Sequence, residues 1–165
     1  MQVHSKKKPF EDDVNFDAIA KTTAGFTGAD LENLLNEAAL LAARRSKTKI
    51  GNREIDDAFL KVIMGNEKKS RVISEKERKL TAYHEAGHAV VTRLMPTQDP
   101  VHQISIVPRG RAGGFTLSLP KEDKYYSSKS EMQDELVTLL GGRVAEKAGA
   151  GRYLHRRFQR HRAGF

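Results

Sequence analysis

Cysteine is absent from the 165 residues of this chain. The chain can therefore form neither a disulfide nor a thiolate metal site, so any metal ion must be held by histidine or carboxylate side chains. No apolar run approaches the roughly 18–20 residues that a membrane-spanning helix needs, and no apolar segment follows the basic start "MQVHSKKKPF". We therefore expect a globular chain in which no segment spans a membrane or acts as a secretory signal.

Acidic residues are missing from the last part of the chain. Residues 148–165 contain five arginines and no acid, which leaves only +3 of the net charge of +8 on residues 1–147. There, lysines and acids are interspersed, as on an ordinary solvated surface. A basic nucleic-acid-binding protein is therefore the weakest alternative, and we expect no nucleic-acid partner. A phosphate-binding loop of the form G-x-x-x-x-G-K-[ST] is also absent, so the chain has no recognisable cradle for a nucleotide phosphate.

The spacing of apolar residues predicts a mainly α fold with a small β element. Residues 1–65 are predicted to form a helical domain, in which Thr27 and Asp30 cap a helix with apolar residues three and four positions apart. Asn52 is expected to cap the next helix, and Ile63 is expected to face its core.

A second domain is predicted after the charged linker of residues 66–74. A helix is expected from Glu75 to Met95, before a proline. The runs "VHQISIVP" and "GGFTLSLP" predict a pair of strands, and Ser128 with Glu131 caps a last helix containing "LLGGRVAEK". The two glycines of that helix predict the close approach of a neighbouring helix.

The segment "TAYHEAGHAV", residues 81–90, places His84 and His88 four positions apart on a helix. Side chains at this spacing lie about 5–6 Å apart on one face, so both imidazoles can reach one zinc ion at about 2.0–2.1 Å. Glu85 points about 100° around the helix, where it can serve as a general base. Zinc lowers the pKa of its water to about 7, which is typical of metalloproteases, but the site needs a third protein ligand.

A simpler interpretation stays open, in which the two histidines pack against apolar neighbours with their ring nitrogens satisfied. The glutamate between them favours the metal site, because a carboxylate beside the apolar run "AVV" is costly to bury without a charged partner.

Four segments occur in order within residues 1–147: "GFTGADLENLLNEAALLAARR", "AYHEAGHAVV", "VPRGRAGGFTLSLP" and "LLGGRVAE". Together they resemble the FtsH family of membrane-anchored, ATP-dependent zinc metalloproteases. The resemblance implies an AAA+ lid domain in residues 1–65 and the first part of an α-helical zinc peptidase domain in residues 75–147. It also implies that the chain is a fragment of an ATP-dependent zinc metalloendopeptidase that degrades membrane and cytoplasmic proteins.

By position, the resemblance implies that His84 and His88 are zinc ligands and that Glu85 is the catalytic glutamate. Gly28 and Ala29 resemble the lid turn that lies against the nucleotide in AAA+ modules, although the same residues can simply start a helix.

A second group of residues resembles the sheet edge along which the family aligns an extended substrate, as backbone pairing would allow. The alternative is an ordinary edge strand. The residues are Gly113, Gly114, Phe115 and Thr116.

The resemblance further implies Zn²⁺ as the cofactor of these residues, with ATP and Mg²⁺ bound only in the full-length parent. It implies protein substrates, a homo-hexamer, and a location at the cytoplasmic side of the inner membrane through segments that this chain lacks.

Residues 148–165 depart from the family, in which the corresponding segment supplies an aspartate as the third zinc ligand. One choice of codons for these residues, read one base later, spells a family-like segment. This predicts a frameshifted, non-native and poorly ordered tail in which Arg160 stands near the position of the lost ligand. His155, His161 or Glu146 are possible substitutes. The alternative function is a catalytically inactive fragment that lacks the third ligand and the ATPase core.

Overall fold

A computed structural model describes residues 2–68, 70, 72–120 and 126–150. Within these residues the chain forms six helices and one two-stranded antiparallel sheet, which confirms the mainly α fold with a small β element. The chain divides into two compact units between Glu67 and Lys68. Across the described part, no helix combines the length and apolar character needed to cross a membrane.

Unit 1 contains α1 (Gln2–Ser5), α2 (Phe16–Thr22), α3 (Gly28–Arg44) and α4 (Asn52–Met64). Its core is apolar, because α3 and α4 each turn one stripe of aliphatic and aromatic side chains inward. The buried apolar residues of the unit are Ile19, Leu34, Leu35, Ala38, Ala42, Ile50, Ile55, Ala58, Phe59 and Leu60.

The start of α3 has the predicted capping box. The Thr27 hydroxyl accepts a hydrogen bond from the Asp30 N–H at 3.2 Å, and the Asp30 carboxylate accepts one from the Thr27 N–H at 2.9 Å. Both bonds satisfy N–H groups that would otherwise lack a partner in the first turn.

Two predictions about α4 were wrong. Its N-cap is Gly51, whose N–H donates to the Glu54 carboxylate at 3.1 Å, whereas the Asn52 side chain donates to the Asp13 carbonyl. The glutamate three positions into the helix therefore caps it. Ile63 is 40% exposed rather than part of the core.

Glu54 is the centre of a buried ionic cluster in unit 1. Its carboxylate is fully buried and accepts hydrogen bonds from Arg45 Nη1 at 2.7 Å and Lys47 Nζ at 3.0 Å, and Arg45 also binds Asp57. Burial by itself raises the pKa of Glu54, but the hydrogen bonds from Arg45, Lys47 and Gly51 outweigh it and lower this pKa to about 2. The cluster thus joins the end of α3 to the start of α4.

Unit 2 contains α5 (Glu75–Leu94), β1 (Val101–Ser105), β2 (Phe115–Ser118) and α6 (Lys129–Ala150). The helix α5 begins with the predicted Ser74 cap and ends one residue earlier than expected. The two strands pair antiparallel, with a register shift near the start of β1.

Helix α6 packs against α5 through small residues, as its two glycines predicted. A Cβ built on Gly87 would lie 2.5 Å from both the Ala145 Cβ and the Gly141 carbonyl oxygen, so the two helix backbones nearly touch. The large apolar side chains of α6 lie elsewhere and are exposed: Met132, Leu136, Val137, Leu139, Leu140 and Val144.

Several predictions concern residues outside the described ranges. The tail residues His155, Arg160 and His161 all lie there, as do Lys69 and Arg71 of the predicted linker. Residues 148–150, where the frameshifted tail was predicted to begin, form the last turn of α6.

Candidate metal centre

The two histidines of α5 turn toward each other. His84 Nε2 and His88 Nε2 are 3.0 Å apart, and the rings meet at 83°. This convergence follows from their four-residue spacing, which stacks side chains on one face of a helix.

The other nitrogen of each ring is held by α6. His84 Nδ1 lies 2.7 Å from the Glu146 carboxylate, and His88 Nδ1 lies 2.8 Å from the Thr138 carbonyl oxygen. A carbonyl oxygen can only accept, so His88 Nδ1 must carry a hydrogen, and the same holds for His84 opposite an ionised carboxylate. In neutral rings, both Nε2 atoms then present lone pairs.

Two lone pairs 3.0 Å apart repel unless a proton or a metal ion lies with them. In tetrahedral coordination, two nitrogens at about 2.0–2.1 Å from zinc are roughly 3.3 Å apart, close to the spacing of the His84 and His88 nitrogens. Zinc-binding histidines commonly donate the other ring N–H to a carboxylate or a backbone carbonyl, as both do in this site. The donor set therefore fits a zinc ion.

Gly142 of α6 leaves the space that the imidazoles occupy. A Cβ built at this position would lie 2.5 Å from His88 Nε2 and 2.9 Å from His84 Cε1. Any larger residue would push the rings or separate the helices. The sequence indicated a close helix approach at this glycine, but not its contact with the histidines.

Glu85 faces β2. It is 5% exposed, and the Thr116 hydroxyl lies 2.9 Å from its backbone carbonyl oxygen and 3.1 Å from its carboxylate oxygen Oε2. A Cβ built on Gly114 would come within 3.0 Å of the other oxygen, Oε1. The carboxylate is therefore packed against β2 and against Gly114, the residue just before this strand.

The third metal ligand is not present in the described part of the chain, which contains no group of three histidine, aspartate or glutamate side chains able to hold a metal ion. Glu146, considered as a substitute, contacts the Nδ1 atom of His84, on the side of the ring away from Nε2. It supports a histidine in this structure and does not approach the position between the two Nε2 atoms.

Of the remaining predicted site residues, two belong to unit 1 and four lie in or just before β2 in unit 2. Gly28 and Ala29 are the first two residues of α3 and are exposed, and a Cβ on Gly28 would meet nothing within 4 Å.

Residues of the predicted substrate strand take two positions. Gly113 and Gly114 precede β2, whereas Phe115 and Thr116 belong to it, with Phe115 buried. Among the described residues, β2 pairs only with β1.

Models of two known protein families match this chain. The model of peptidase family M41 matches residues 71–153, which include both histidines, Glu85 and Glu146. The chain belongs to peptidase family M41. A second model, that of the AAA+ lid domain, matches residues 13–57 of this M41 chain, within unit 1.

Three relatives of this M41 chain support the resemblance to FtsH. The ATP-dependent zinc metalloprotease FtsH of Caldicellulosiruptor bescii is 65% identical over 147 residues, covering 89% of this chain and 24% of that protein. FtsH 2 of Alkaliphilus metalliredigens is also 65% identical over 147 residues, or 21% of its own length. FtsH of Bacillus subtilis is 53% identical over 163 residues, covering 97% of this chain and 26% of that protein. The chain thus spans about a quarter of the length of these curated relatives.

Proposed function

We propose that these residues belong to an ATP-dependent zinc metalloendopeptidase that degrades membrane and cytoplasmic proteins. The observation that carries the proposal is the arrangement of His84 and His88, whose Nε2 atoms converge while α6 accepts hydrogen bonds from both Nδ1 atoms. Membership in peptidase family M41 and the names of the relatives support the same activity.

In this proposal His84 and His88 hold the zinc ion, and Glu85 moves protons. A bound zinc ion lowers the pKa of a water to about 7 and polarises the carbonyl of a peptide bond. The Glu85 carboxylate accepts a proton from the water that attacks the peptide carbonyl, and can then deliver this proton to the departing amine. Its near-complete burial keeps bulk water from competing for that proton.

The predicted substrate strand fits this role by its position. Thr116 of β2 contacts Glu85 directly, so a peptide paired to the strand beside Gly113 and Gly114 would run close to the general base. Backbone pairing recognises extended peptides of many sequences, which suits a protease that degrades varied proteins.

The lid has a separate role in the proposal. Gly28 and Ala29, at the exposed start of α3, would lie against the nucleotide in the full-length protein, since the N–H groups of a helix start favour an anion. ATP and Mg²⁺ would be bound in that full-length protein only. The homo-hexamer, the membrane attachment and the cytoplasmic side of the inner membrane are further proposals, which rest on the resemblance to the FtsH family.

A second candidate is a catalytically inactive fragment. It is favoured by the absence of a three-ligand group in the described residues. We infer that the tail, residues 148–165, is frameshifted and that the restored frame would encode an aspartate near position 160. The codon reading of residues 148–165, which spells a family-like segment one base later, supports this inference.

The test compares the chain as given with a version in which one base is deleted after the Lys147 codon and the gene continues in the restored frame. We expect chelator-sensitive cleavage of casein by the repaired, extended and assembled protein, and its loss in Glu85→Gln. The present chain is expected to bind zinc weakly and to cut nothing. Equal activity of the two would refute the inactive fragment, and activity of Glu85→Gln would refute the role of Glu85.

A further inference from the structure

A strand residue holds the carboxylate that the proposed function uses as its general base. The Thr116 hydroxyl lies 3.1 Å from Glu85 Oε2 and 2.9 Å from the Glu85 backbone carbonyl oxygen. Both oxygens accept when the carboxylate is ionised, so the hydroxyl is the donor and shares one hydrogen between them. One side chain therefore contacts both ends of Glu85.

The contact limits the orientations that the Glu85 side chain can adopt. A glutamate has three rotatable bonds, and holding it in one orientation has a cost in entropy unless a partner fixes it. When Glu85 is ionised, this hydrogen bond is charge-assisted, and it lies in a buried environment where such bonds are strong. The carboxylate is thus fixed against β2 before any substrate arrives.

The surroundings of Glu85 Oε1 also restrict where this carboxylate can lie. A Cβ built on Gly114 would lie 3.0 Å from this oxygen, 2.6 Å from Thr81 Cγ2 and 2.9 Å from the Ser105 carbonyl oxygen. An alanine at this position would therefore crowd Oε1 and its neighbours, whereas glycine lets the backbone lie this close to the carboxylate. Thr116 thus donates to one carboxylate oxygen, while the Gly114 backbone lies close beside the other.

We propose that Thr116 is a positioning residue, whose hydroxyl orients the Glu85 carboxylate for proton transfer in peptide cleavage. The inference rests on the proposed function of Glu85 and goes beyond it by naming the group that aims the base. A general base must lie within hydrogen-bond reach of the proton that it removes. Loss of this orientation should therefore lower the rate of the chemical step, while substrate binding changes little.

The first experiment needs neither zinc nor activity. The carboxyl-carbon NMR resonance of Glu85 is assigned in this chain by its disappearance in Glu85→Gln. We expect Thr116→Val, which keeps the shape of the side chain without its hydroxyl, to shift or broaden that resonance, and Thr116→Ser to leave it nearly in place. An unchanged resonance in Thr116→Val would overturn the proposal.

Thr97→Val is the matched control. The Thr97 hydroxyl also donates to a carboxylate, that of Asp134 at 2.7 Å. The Thr97→Val substitution therefore removes the same kind of hydrogen bond from unit 2 without changing a contact of Glu85. The unfolding midpoints of Thr116→Val and Thr97→Val should fall by similar amounts. The Glu85 resonance should move only in Thr116→Val, and movement in both variants would show a general effect of destabilisation and overturn the proposal.

The second experiment measures peptide cleavage by the full-length, zinc-loaded protein with the same substitutions. We expect kcat to fall roughly 10-fold in Thr116→Val with KM within about twofold, and Thr116→Ser to restore most of the rate. Zinc content should not change. Full activity in Glu85→Gln would reject the proposed function itself. An inactive Glu85→Gln beside a fully active Thr116→Val would reject only the role of Thr116.

Discussion

Unit 1 and unit 2 bury opposite kinds of side chains. In unit 1, the described residues with exposure of only a few per cent are mostly apolar, and Glu54 is surrounded by its own cations. In unit 2, Leu80, Pro108 and Phe115 are the buried apolar side chains of the described part. Its other buried side chains are polar or charged: Thr81, Glu85, Thr92, Arg109 and Glu146.

The difference reflects what each interface does. The contact between α3 and α4 excludes water from large side chains, which is the main source of folding free energy. The contact between α5 and α6 uses glycine and alanine to bring a carbonyl and a carboxylate onto two imidazoles. We infer that unit 1 is built for stability and unit 2 for the placement of polar groups.

The largest expected effect tests the apolar cores. Leu35 is fully buried in unit 1, and Leu35→Ala should lower the free energy of unfolding of this unit by about 2–5 kcal/mol. Leu139 of α6 is 61% exposed, so Leu139→Ala should change the stability of unit 2 by no more than about 0.5 kcal/mol. Amide hydrogen exchange resolves the two units. An equal cost for both would show that the α6 side chain is covered in solution.

The next effect concerns the small-residue contact of unit 2. Gly87→Ala forces a Cβ against the backbone of α6, so we expect a loss of about 3 kcal/mol in unit 2, at the top of the usual range for overpacking. The control is Gly28→Ala in unit 1, where the added Cβ meets nothing within 4 Å. Urea unfolding of both variants measures the difference, and similar midpoints would mean that the helices can separate without cost.

A smaller effect concerns the hydrogen bond from His84 to Glu146. Glu146→Gln should weaken zinc binding roughly 10-fold, the lower end of the usual range, because the amide oxygen can still accept from Nδ1. Competition against a chromophoric chelator measures the affinity. Glu135→Gln removes the same charge from an exposed position of α6 and should leave the affinity unchanged. A greater loss in Glu135→Gln would indicate a general effect of helix charge.

The smallest effect is the pH dependence of unit 1. The pKa of Glu54 is about 2 in the folded chain and about 4.5 without its partners, so its contribution is present above pH 4.5 and is lost as the pH falls toward 2. Arg45 and Lys47 are 33% and 39% exposed, so solvent screening reduces the contribution to on the order of 1 kcal/mol.

Urea unfolding of unit 1 at pH 6, 4 and 3 checks this dependence. Glu54→Gln should flatten it, whereas Glu32→Gln, at an exposed carboxylate, should leave it as in the parent chain. A steep loss of stability that persists in Glu54→Gln would assign the acid sensitivity to other carboxylates.

Much of the fold was accessible from sequence because its signals are local. The Thr27 capping box, the Ser74 cap and the α5 helix each depend on residues within a few positions of one another. The N-cap of α4 was predicted wrongly because Asn52 is a common cap, while the actual cap is made by Glu54 after its burial among cations. The prediction that Ile63 faces the core was wrong for a related reason, since helical spacing does not reveal where a small core ends.

The sequence by itself determined that His84 and His88 share one face of a helix, because the pitch of an α-helix places such residues together wherever the helix packs. It also separated Glu85 from that face. The tertiary structure decided which ring nitrogens are available, since the acceptors for Nδ1 come from Thr138 and Glu146, 50 and 62 residues further along the chain. It likewise brought Thr116 to Glu85. Contacts across such distances depend on how backbones pack, and no local pattern of residues specifies them.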